Sequence, residues 1–408
     1  MTPVDLLVVN ASEVVTCAGP GPKRGAAMSD PGIIVDGAIA IDKKRIVAVG
    51  TTRELRSRFQ PATVFDAAGR SVCPGFVDCH THVVYAGDRI DEFEQKLGGA
   101  DYLDILAAGG GINSTVRAVR EADYEELVAE SRPRLNAMFL LGTTTAEVKT
   151  GYGLDTDNEL KMLDAIAALD RQGPVRLVST FLGAHAVPPE FAGRTEDYVH
   201  SIITEQIPAA ASDATFIDVF CEKNAFSVEQ ARRILEAGMA RGLRVKMHLD
   251  EFTNLGGVAL ALSLNAVSID HLEVTTPAEL QQIATTPTVC VVMPAVNFHL
   301  GSRRFADARA ILDAGAILAL ATDINPGSAP CPSMPLVMAL ACRWQKLRPA
   351  EALHAATINA AAAIGLEHEI GSIEVGKRAD LLVLKSSDYR SLMYEFGGNP
   401  VHEVFSHG

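Results

Sequence analysis

Two histidines separated by one residue, His80 and His82, follow an apolar run and have the spacing of a metal-binding pair. Side chains on an extended strand alternate faces with a period of two, so both imidazole rings are predicted to point to the same side. Two neutral imidazoles held in this way can bind one zinc or iron ion. His248 and Asp323 end later apolar runs and would complete a set of three nitrogens and one oxygen. That set leaves a coordination position for water, which a metal ion activates at neutral pH.

Two further polar residues stand beside these candidate ligands. Glu251 follows His248 closely and can move protons, and His271 ends another apolar run, where its ring can support a developing oxyanion. A single His-x-His pair or strand-end carboxylate is common without a metal. Here four of eight apolar runs end in ligand-type residues, although the whole chain has only 11 histidines. The joint pattern therefore indicates a metal site.

These residues are positioned by apolar runs that alternate with helical patterns. Eight runs suit buried strands, at 75–82, 143–149, 175–185, 216–221, 244–248, 266–271, 288–293 and 316–323. Eight strand–helix units over about 250 residues predict a closed (β/α)8 barrel of the TIM type, whose strands all end at one mouth. A doubly wound open sheet is the alternative, but it predicts fewer strands and a glycine-rich first turn. Three of the helices are predicted to begin with capping boxes, at Thr156, Ser227 and Thr276.

The two ends of the chain have a different character from the middle. Both read as short apolar strands with hairpin-like breaks, and neither has an obvious core of its own. We therefore expect the ends to combine into one small β-sandwich domain beside the barrel. The predicted division is 1–72 for the N-terminal part of this β domain, 73–365 for the barrel and 366–408 for the C-terminal part.

Composition narrows the class of protein. Of the 408 residues, 48% are hydrophobic and 21% charged, which is typical of a globular protein. The 36 basic and 50 acidic residues give a net charge of −14, the opposite of a nucleic-acid-binding footprint. The seven cysteines include no Cys-x-x-Cys pair, so neither a zinc knuckle nor a disulfide framework is indicated. No run approaches the roughly 20 apolar residues of a membrane span. The first residues make a poor signal peptide. The prediction is a cytoplasmic protein with no nucleic-acid or membrane partner. Because an acidic surface repels anions, an anionic substrate would need a local cation.

The stretch 74–82 resembles the first metal motif of the amidohydrolase superfamily, whose fold is a metal-bearing (β/α)8 barrel with a β domain built from both termini. The stretches 147–154, 182–188 and 322–328 resemble, more specifically, the branch of that superfamily that acts on 4-imidazolone-5-propanoate. This resemblance covers nearly the whole chain. It implies hydrolysis of a cyclic amide bond in histidine degradation, with N-formimidoyl-L-glutamate as the product, and it implies a homodimer.

The resemblance also implies a cofactor and roles for named residues. The cofactor is one divalent or trivalent metal ion, zinc or iron, whose implied ligands are His80, His82, His248 and Asp323. Proton transfer and oxyanion stabilisation would be shared by Glu251, His271 and Asp323. The implied contacts to the anionic heterocyclic substrate are Arg89, Tyr102, Tyr152, His185, Glu251, Asn325, Gly327 and Ser328. Arg89 would supply the local cation, because a guanidinium binds a carboxylate in a bidentate manner.

Two features depart from the family's pattern. The stretch 295–299 at the barrel mouth differs from the small and aromatic residues usual there, which bears on the substrate more than on the chemistry. Glu222 lies where some members place a ligand for a second metal. Without a carboxylated-lysine signature, we interpret Glu222 as structural.

Two other functions are left open by the sequence. The order His248-Leu249-Asp250-Glu251 is similar to that of deaminases with the same barrel, which would act on a nucleobase or a related heterocycle. A neutral base would offer Arg89 no carboxylate, so this residue discriminates between the two enzymes. A non-catalytic barrel used for binding or assembly ranks last, because such relatives tend to lose ligand residues and all four are present here.

Overall fold

The computed structural model describes residues 1–99 and 110–406. Tyr102, one of the implied substrate contacts, lies outside the described residues. The strands in these parts are β1 (Thr2–Val15), β2 (Ile33–Asp42), β3 (Arg45–Thr51), β4 (Phe59–Asp66), β5 (Ser71–Pro74), β6 (Phe76–Asp78), β7 (Thr143–Lys149), β8 (Arg176–Ala184), β9 (Phe216–Cys221), β10 (Arg244–Leu249), β11 (Ser268–His271), β12 (Val289–Val292), β13 (Ile317–Leu320), β14 (Leu381–Leu384) and β15 (Val401–Phe405).

The α-helices of the same parts of the chain are α1 (Thr52–Arg58), α2 (Ile90–Leu97), α3 (Ile112–Glu121), α4 (Tyr124–Leu140), α5 (Thr156–Gln172), α6 (Thr195–Ser201), α7 (Ile207–Ala210), α8 (Val228–Met239), α9 (Gly257–Ser263), α10 (Pro277–Ala284), α11 (Pro294–His299), α12 (Ala308–Asp313), α13 (Met334–Trp344), α14 (Pro349–Ala355), α15 (Ile358–Ala363) and α16 (Ser391–Tyr394). Short helical turns span Gly25–Ser29, Pro189–Phe191 and Ile202–Gln206. None of the helices in the described residues is long and apolar enough to cross a membrane.

Strands β6 to β13 form one eight-stranded parallel sheet in which each strand neighbours the next along the chain. This sequential order confirms the predicted (β/α)8 barrel. It excludes the doubly wound alternative, in which the strand order reverses at one point. Each predicted apolar run contains one of the eight strands. The carboxyl ends of these strands therefore lie at one mouth.

The first predicted run, 75–82, is mostly not a strand. Only β6 pairs regularly with β7, and His80 and His82 follow it in a loop. Single backbone hydrogen bonds join this loop to the segment after β13: Asp323 N donates to His80 O and His82 N donates to Ile324 O, both at 3.0 Å. Backbone hydrogen bonds to the segment after β13 thus hold the two histidines in place. The prediction that strand periodicity aligns their rings is therefore wrong.

The other strands form a seven-stranded sheet ordered β15-β14-β5-β1-β2-β3, with β4 also beside β1. It takes strands from both ends of the chain, as predicted. One face buries Val14, Ile39 and Leu381, and the opposite face packs on α1. Because β5 ends at Pro74 and β6 begins at Phe76, this sheet leads directly into the first barrel strand.

Side chains at helix starts follow the predictions in two cases of three. The capping boxes that begin with Ser227 and Thr276 are confirmed. The box at Thr156 is wrong, because Asp155 caps α5 and its carboxylate accepts a hydrogen bond from Asn158 N at 2.8 Å. A carboxylate is a stronger acceptor than a hydroxyl for the free N–H groups of a first turn. The glutamate of the predicted box lies instead at the barrel mouth.

Candidate metal centre and active site

The segments after β6, β10 and β13, with the last residue of β11, bring potential metal ligands together at the barrel mouth. Among the described residues, two groups of donors lie within 4.8 Å of one another: His80 with His82 and His248, and His80 with His271 and Asp323. All five residues are buried. The fold therefore brings the four predicted ligands and His271 to one place.

Hydrogen bonding fixes how His80 faces this cluster. Its Nδ1 lies 2.7 Å from Oδ2 of Asp270, so Nδ1 carries the proton and donates, while Nε2 keeps a free lone pair. That Nε2 lies 3.5 Å from Oδ1 of Asp323. Nε2 of His82 lies 3.6 Å from the same oxygen. Two imidazoles and one carboxylate thus face a common point.

His248 is oriented in a similar way by a carboxylate on the neighbouring strand. Its Nδ1 lies 2.9 Å from Oδ2 of Asp218, and Oδ1 of Asp218 accepts a hydrogen bond from His248 N at 3.1 Å. Burial alone would raise the pKa of Asp218, but the charges of His248 and Lys149 outweigh burial and hold that pKa well below its usual range. An ionised carboxylate therefore stands behind this ring.

The donor atoms suit a metal ion because they are buried and unsatisfied. Within residues 1–99 and 110–406, Nε2 of His80, Nε2 of His248 and Oδ1 of Asp323 have no hydrogen-bond partner. Burial lowers the pKa of His80 and His82, which keeps both rings in the neutral form that binds metals. Burial raises the pKa of Asp323, and a cation at its free oxygen would stabilise the ionised form. Three imidazole nitrogens and one carboxylate oxygen fit zinc and iron alike.

A buried ammonium group lies beneath the cluster. Nζ of Lys149 lies 2.7 Å from Glu147 Oε1, 2.8 Å from Asp218 Oδ2 and 3.6 Å from Asp270 Oδ2, and all four side chains are fully buried. Burial would lower the pKa of Lys149, but the three carboxylates outweigh it and hold that pKa above its usual range. One cation thus stabilises both of the carboxylates that orient histidine rings.

The ion-pair network around Lys149 was missed from the sequence, although a signal was present. Lys149, Asp218 and Lys246 lie within or at the end of runs that were predicted as buried strands. Nζ of Lys246 donates to Cys79 O at 2.8 Å and lies 3.6 Å from Glu147 Oε1. Because a charge inside a buried strand must be paired, such residues in a strand pattern predict a buried network even when its partners are unknown.

Glu251 and His271 face each other beside the donors. Glu251 Oε2 lies 3.8 Å from His271 Nε2. Burial raises the pKa of Glu251, with Glu273 and Asp323 adding to the rise, whereas burial lowers the pKa of His271. His271 also has φ 87°, a left-handed backbone that costs a non-glycine residue about 1–3 kcal/mol and is enriched at functional sites.

The loop after β7 presents Tyr152 to the mouth. The carboxylate of Glu159, from the first turn of α5, accepts hydrogen bonds from the N–H groups of Gly151, Gly153 and Leu154 at 3.1, 2.8 and 2.9 Å. Gly151 and Leu154 have φ 104° and 57°, so this loop is held in a left-handed conformation at both ends. Glu159, the partner of Thr156 in the predicted capping box, therefore fixes the backbone that carries Tyr152.

His185 lies in the same wall of the mouth. Its ring stacks on His82 with centroids 4.9 Å apart and lies 5.5 Å from the ring of Tyr152. Nδ1 of His185 lies 3.0 Å from Gly151 O, so Nδ1 is the donor and Nε2 remains available to a ligand.

Arg89 is held by an acidic neighbour and by the loop after β13. Its Nε and Nη2 donate to Oε2 of Glu92 at 2.9 and 2.6 Å. A Cβ on Gly327 would lie only 2.1 Å from Nη1 of Arg89. The guanidinium therefore packs against the backbone of Gly327, with two of its three nitrogens already engaged.

Asn325 shapes that loop with its own side chain. Its Oδ1 accepts hydrogen bonds from the N–H groups of Gly327 and Ser328 at 2.8 Å each, and its Nδ2 donates to Asp323 O at 2.7 Å. The amide of Asn325 is thus used to fold the turn that follows Asp323. The implied substrate residues found around this mouth are Arg89, Tyr152, His185, Glu251, Asn325, Gly327 and Ser328.

Glu222 has no open coordination position. Its Oε2 accepts hydrogen bonds from the N–H groups of Phe252 and Thr253 at 2.9 and 3.0 Å, and its Oε1 accepts one from Lys223 N at 2.7 Å. The carboxylate holds the loop that follows Glu251, in keeping with a structural role.

Comparison with known sequences agrees with this architecture. Residues 71–408 match the Amidohydrolase family. The barrel and its buried donors therefore define an amidohydrolase with a site able to hold a metal ion. An imidazolonepropionase of Chloroflexus aggregans is 53% identical over 100% of this chain and 98% of its own length, and one of Symbiobacterium thermophilum is 49% identical over 100% and 97%. The chain belongs to the imidazolonepropionase family.

Solved structures show the same fold at much lower identity. A zinc-bound adenosine deaminase from Xanthomonas campestris superposes with a TM-score of 0.73 and 23% identity, covering 100% of this chain and 92% of the deaminase. A triazine hydrolase variant gives a TM-score of 0.75 and 17% identity, covering 98% and 93%. At these identities the likeness concerns the fold alone.

Proposed function

We propose that this chain hydrolyses the cyclic amide bond of 4-imidazolone-5-propanoate and releases N-formimidoyl-L-glutamate, a step of histidine degradation. Membership of the imidazolonepropionase family supports the proposal. The observation that carries it is that the cluster of buried histidines and the guanidinium of Arg89 share one barrel mouth. A ring amide with a carboxylate arm needs both features, one at the carbonyl and one at the arm.

In this proposal His80, His82, His248 and Asp323 would hold one zinc or iron ion. When bound, such an ion lowers the pKa of a water ligand and polarises a carbonyl group. The free Nε2 atoms of His80 and His248 and the free Oδ1 of Asp323 support this ligand set.

The proton transfers are assigned to carboxyl groups in the same mouth. The carboxylate of Asp323 accepts a proton from the attacking water. Burial raises the pKa of Glu251, and the protonated form that this favours gives its proton to the leaving ring nitrogen. An N–H of His271 stabilises the negative charge that develops on the carbonyl oxygen. Tyr152 and His185 line the wall against which the ring would lie.

Replacing Arg89 with methionine tests the assignment of the propanoate arm. Methionine keeps an unbranched apolar stem but removes the charge and the forked donors, so kcat/KM should fall by at least about 100-fold, mainly through KM. The measurement is the ultraviolet change on loss of imidazolonepropanoate, with cytosine and a hydantoin as competing substrates. Arg194, an exposed arginine paired with Asp197, provides the matched Arg194→Met control. An Arg89→Met enzyme with unchanged KM, or faster turnover of either competitor by the parent, would contradict the proposal.

Replacing Gly327 with alanine tests whether Arg89 must lie against the loop backbone. The added Cβ would lie 2.1 Å from Nη1 of Arg89 and should push the guanidinium out of place. Gly327 has no positive φ, so alanine strains no backbone there. We expect KM to rise by about tenfold while the melting temperature stays within a few degrees of the parent's. A melting temperature that falls with KM unchanged would show that the glycine serves folding alone.

A further inference from the structure

Two buried acceptors beside His271 have no donor. The Glu273 side chain is only 3% exposed, and its Oε1 accepts a hydrogen bond from Asn297 Nδ2 at 3.2 Å. Its Oε2 has no hydrogen-bond partner in the described parts of the chain, and neither does Oδ1 of Asn297. A buried acceptor without a donor destabilises a folded protein, so this niche calls for a ligand that donates.

The niche also places two carboxyl groups on either side of one imidazole ring. Glu273 Oε2 lies 4.0 Å from Nδ1 of His271, and Glu251 Oε2 lies 3.8 Å from Nε2 of the same ring. Two carboxyl groups therefore flank one imidazole, and no lysine or arginine of the described residues pairs with either of them.

We propose that Glu273 and Asn297 form a subsite for an amidinium group, a planar cation that carries several N–H donors and no acceptor. The inference rests on the proposed function. Water adds to the ring carbonyl carbon, the carbon–nitrogen bond breaks, and both hydrogens of the water end on the nitrogens of the former ring. The product thus carries a carboxylate where the carbonyl was and an amidinium where the ring nitrogens were. Glu273 binds the amidinium group that forms as the ring opens, while Arg89 binds the carboxylate arm.

The position of Asn297 supports this subsite. It belongs to α11, within the stretch 295–299 that departs from the family's sequence pattern. In the structure this departure includes Asn297, whose Nδ2 donates to Glu273 and whose Oδ1 has no hydrogen-bond partner among the described residues. The unusual stretch is therefore a wall of the binding site.

Competitive inhibition by two matched compounds tests the subsite. N-formimidoyl-L-glutamate and N-formyl-L-glutamate share the glutamate arm, but only the first carries a cationic amidine. We expect the metal-loaded parent enzyme to bind the cationic compound at least about tenfold more tightly. In the Glu273→Gln variant the two compounds should bind with about equal affinity. The Glu273→Asp variant keeps the carboxyl group and should retain part of the preference for the cationic compound. An unchanged preference in Glu273→Gln would overturn the inference.

A variant of Asn297 tests the subsite without changing Glu273, and thermal unfolding separates a loss of binding from a loss of folding. Asn297→Ala removes the neighbour of Glu273 without touching its charge, and should lower the preference by about threefold; no change in a folded Asn297→Ala protein would count against the subsite. Thermal unfolding establishes that each variant is folded. Failure of the proposed function has a different signature, because the parent enzyme would then not turn over imidazolonepropanoate at all.

Discussion

An Asp323→Asn enzyme should lose about 10,000-fold in kcat while keeping its fold. The substitution removes the group proposed to accept the water proton and replaces an anionic metal ligand with a neutral one. Asp323 has φ 51°, a left-handed backbone that asparagine tolerates as well as aspartate does. The side chains have nearly the same shape, so the loss reports on charge and proton transfer. Steady-state turnover of imidazolonepropanoate and metal analysis of the same samples measure the two effects.

The matched control for Asp323→Asn is Asp157→Asn, at an exposed aspartate in the first turn of α5. It makes the same chemical change away from the mouth and should leave kcat within twofold of the parent's, as surface substitutions usually do. If Asp323→Asn retained kcat within about tenfold of the parent with full metal content, the assignment of Asp323 as ligand and base would be wrong.

A Lys149→Met protein should be destabilised by about 3–5 kcal/mol, because removing one partner of a buried ion pair leaves uncompensated charges. Three carboxylates lie within 3.6 Å of the Lys149 ammonium. Two of them, Asp218 and Asp270, orient His248 and His80, so metal affinity should also fall by about 10–100-fold. Denaturant unfolding of the metal-free protein gives the first quantity, and chelator competition gives the second.

Lys161→Met provides the comparison for Lys149→Met. The Lys161 ammonium donates to Val119 O and Ala122 O at 2.7 Å each and faces no buried carboxylate pair. Its loss should change the free energy of unfolding by about 1 kcal/mol and leave metal affinity unaltered. Equal effects of the two substitutions would mean that the buried network adds nothing beyond ordinary hydrogen bonding.

Much of the fold could be predicted from the sequence because hydrophobic periodicity is local. Each barrel strand is a short apolar run bounded by helical patterns, and every one of the eight predicted runs contains an observed strand. The exception in detail is the run 75–82, where only β6 is a strand. Apolar composition correctly predicts that this segment is buried. Regular strand pairing, however, depends on the neighbouring strands of the barrel, which the local sequence does not specify.

The candidate site could be predicted only in part. His80, His82, His248 and Asp323 carry signals in their residue type and in their position at strand ends. The carboxylates that orient these histidines carry no such signal. His80 and Asp270, for example, are 190 residues apart, and no local sequence pattern pairs them. Glu159 shows the opposite failure, since a local rule predicted it as the capping-box partner of Thr156. Tertiary structure instead brought the backbone of the loop after β7 to its carboxylate.

The junction between the two sheets has a consequence for how the chain is made. β5 is paired on one side by β14, and it runs within two residues into β6 and then to His80. Roughly 300 residues separate β5 from β14, which at about 5–20 residues per second is about 15 to 60 seconds of translation. During that interval one edge of β5 is an open template for other strands. His80 and His82 are synthesised early, yet the strand that leads into them gains its neighbour β14 only after roughly 300 further residues have been translated.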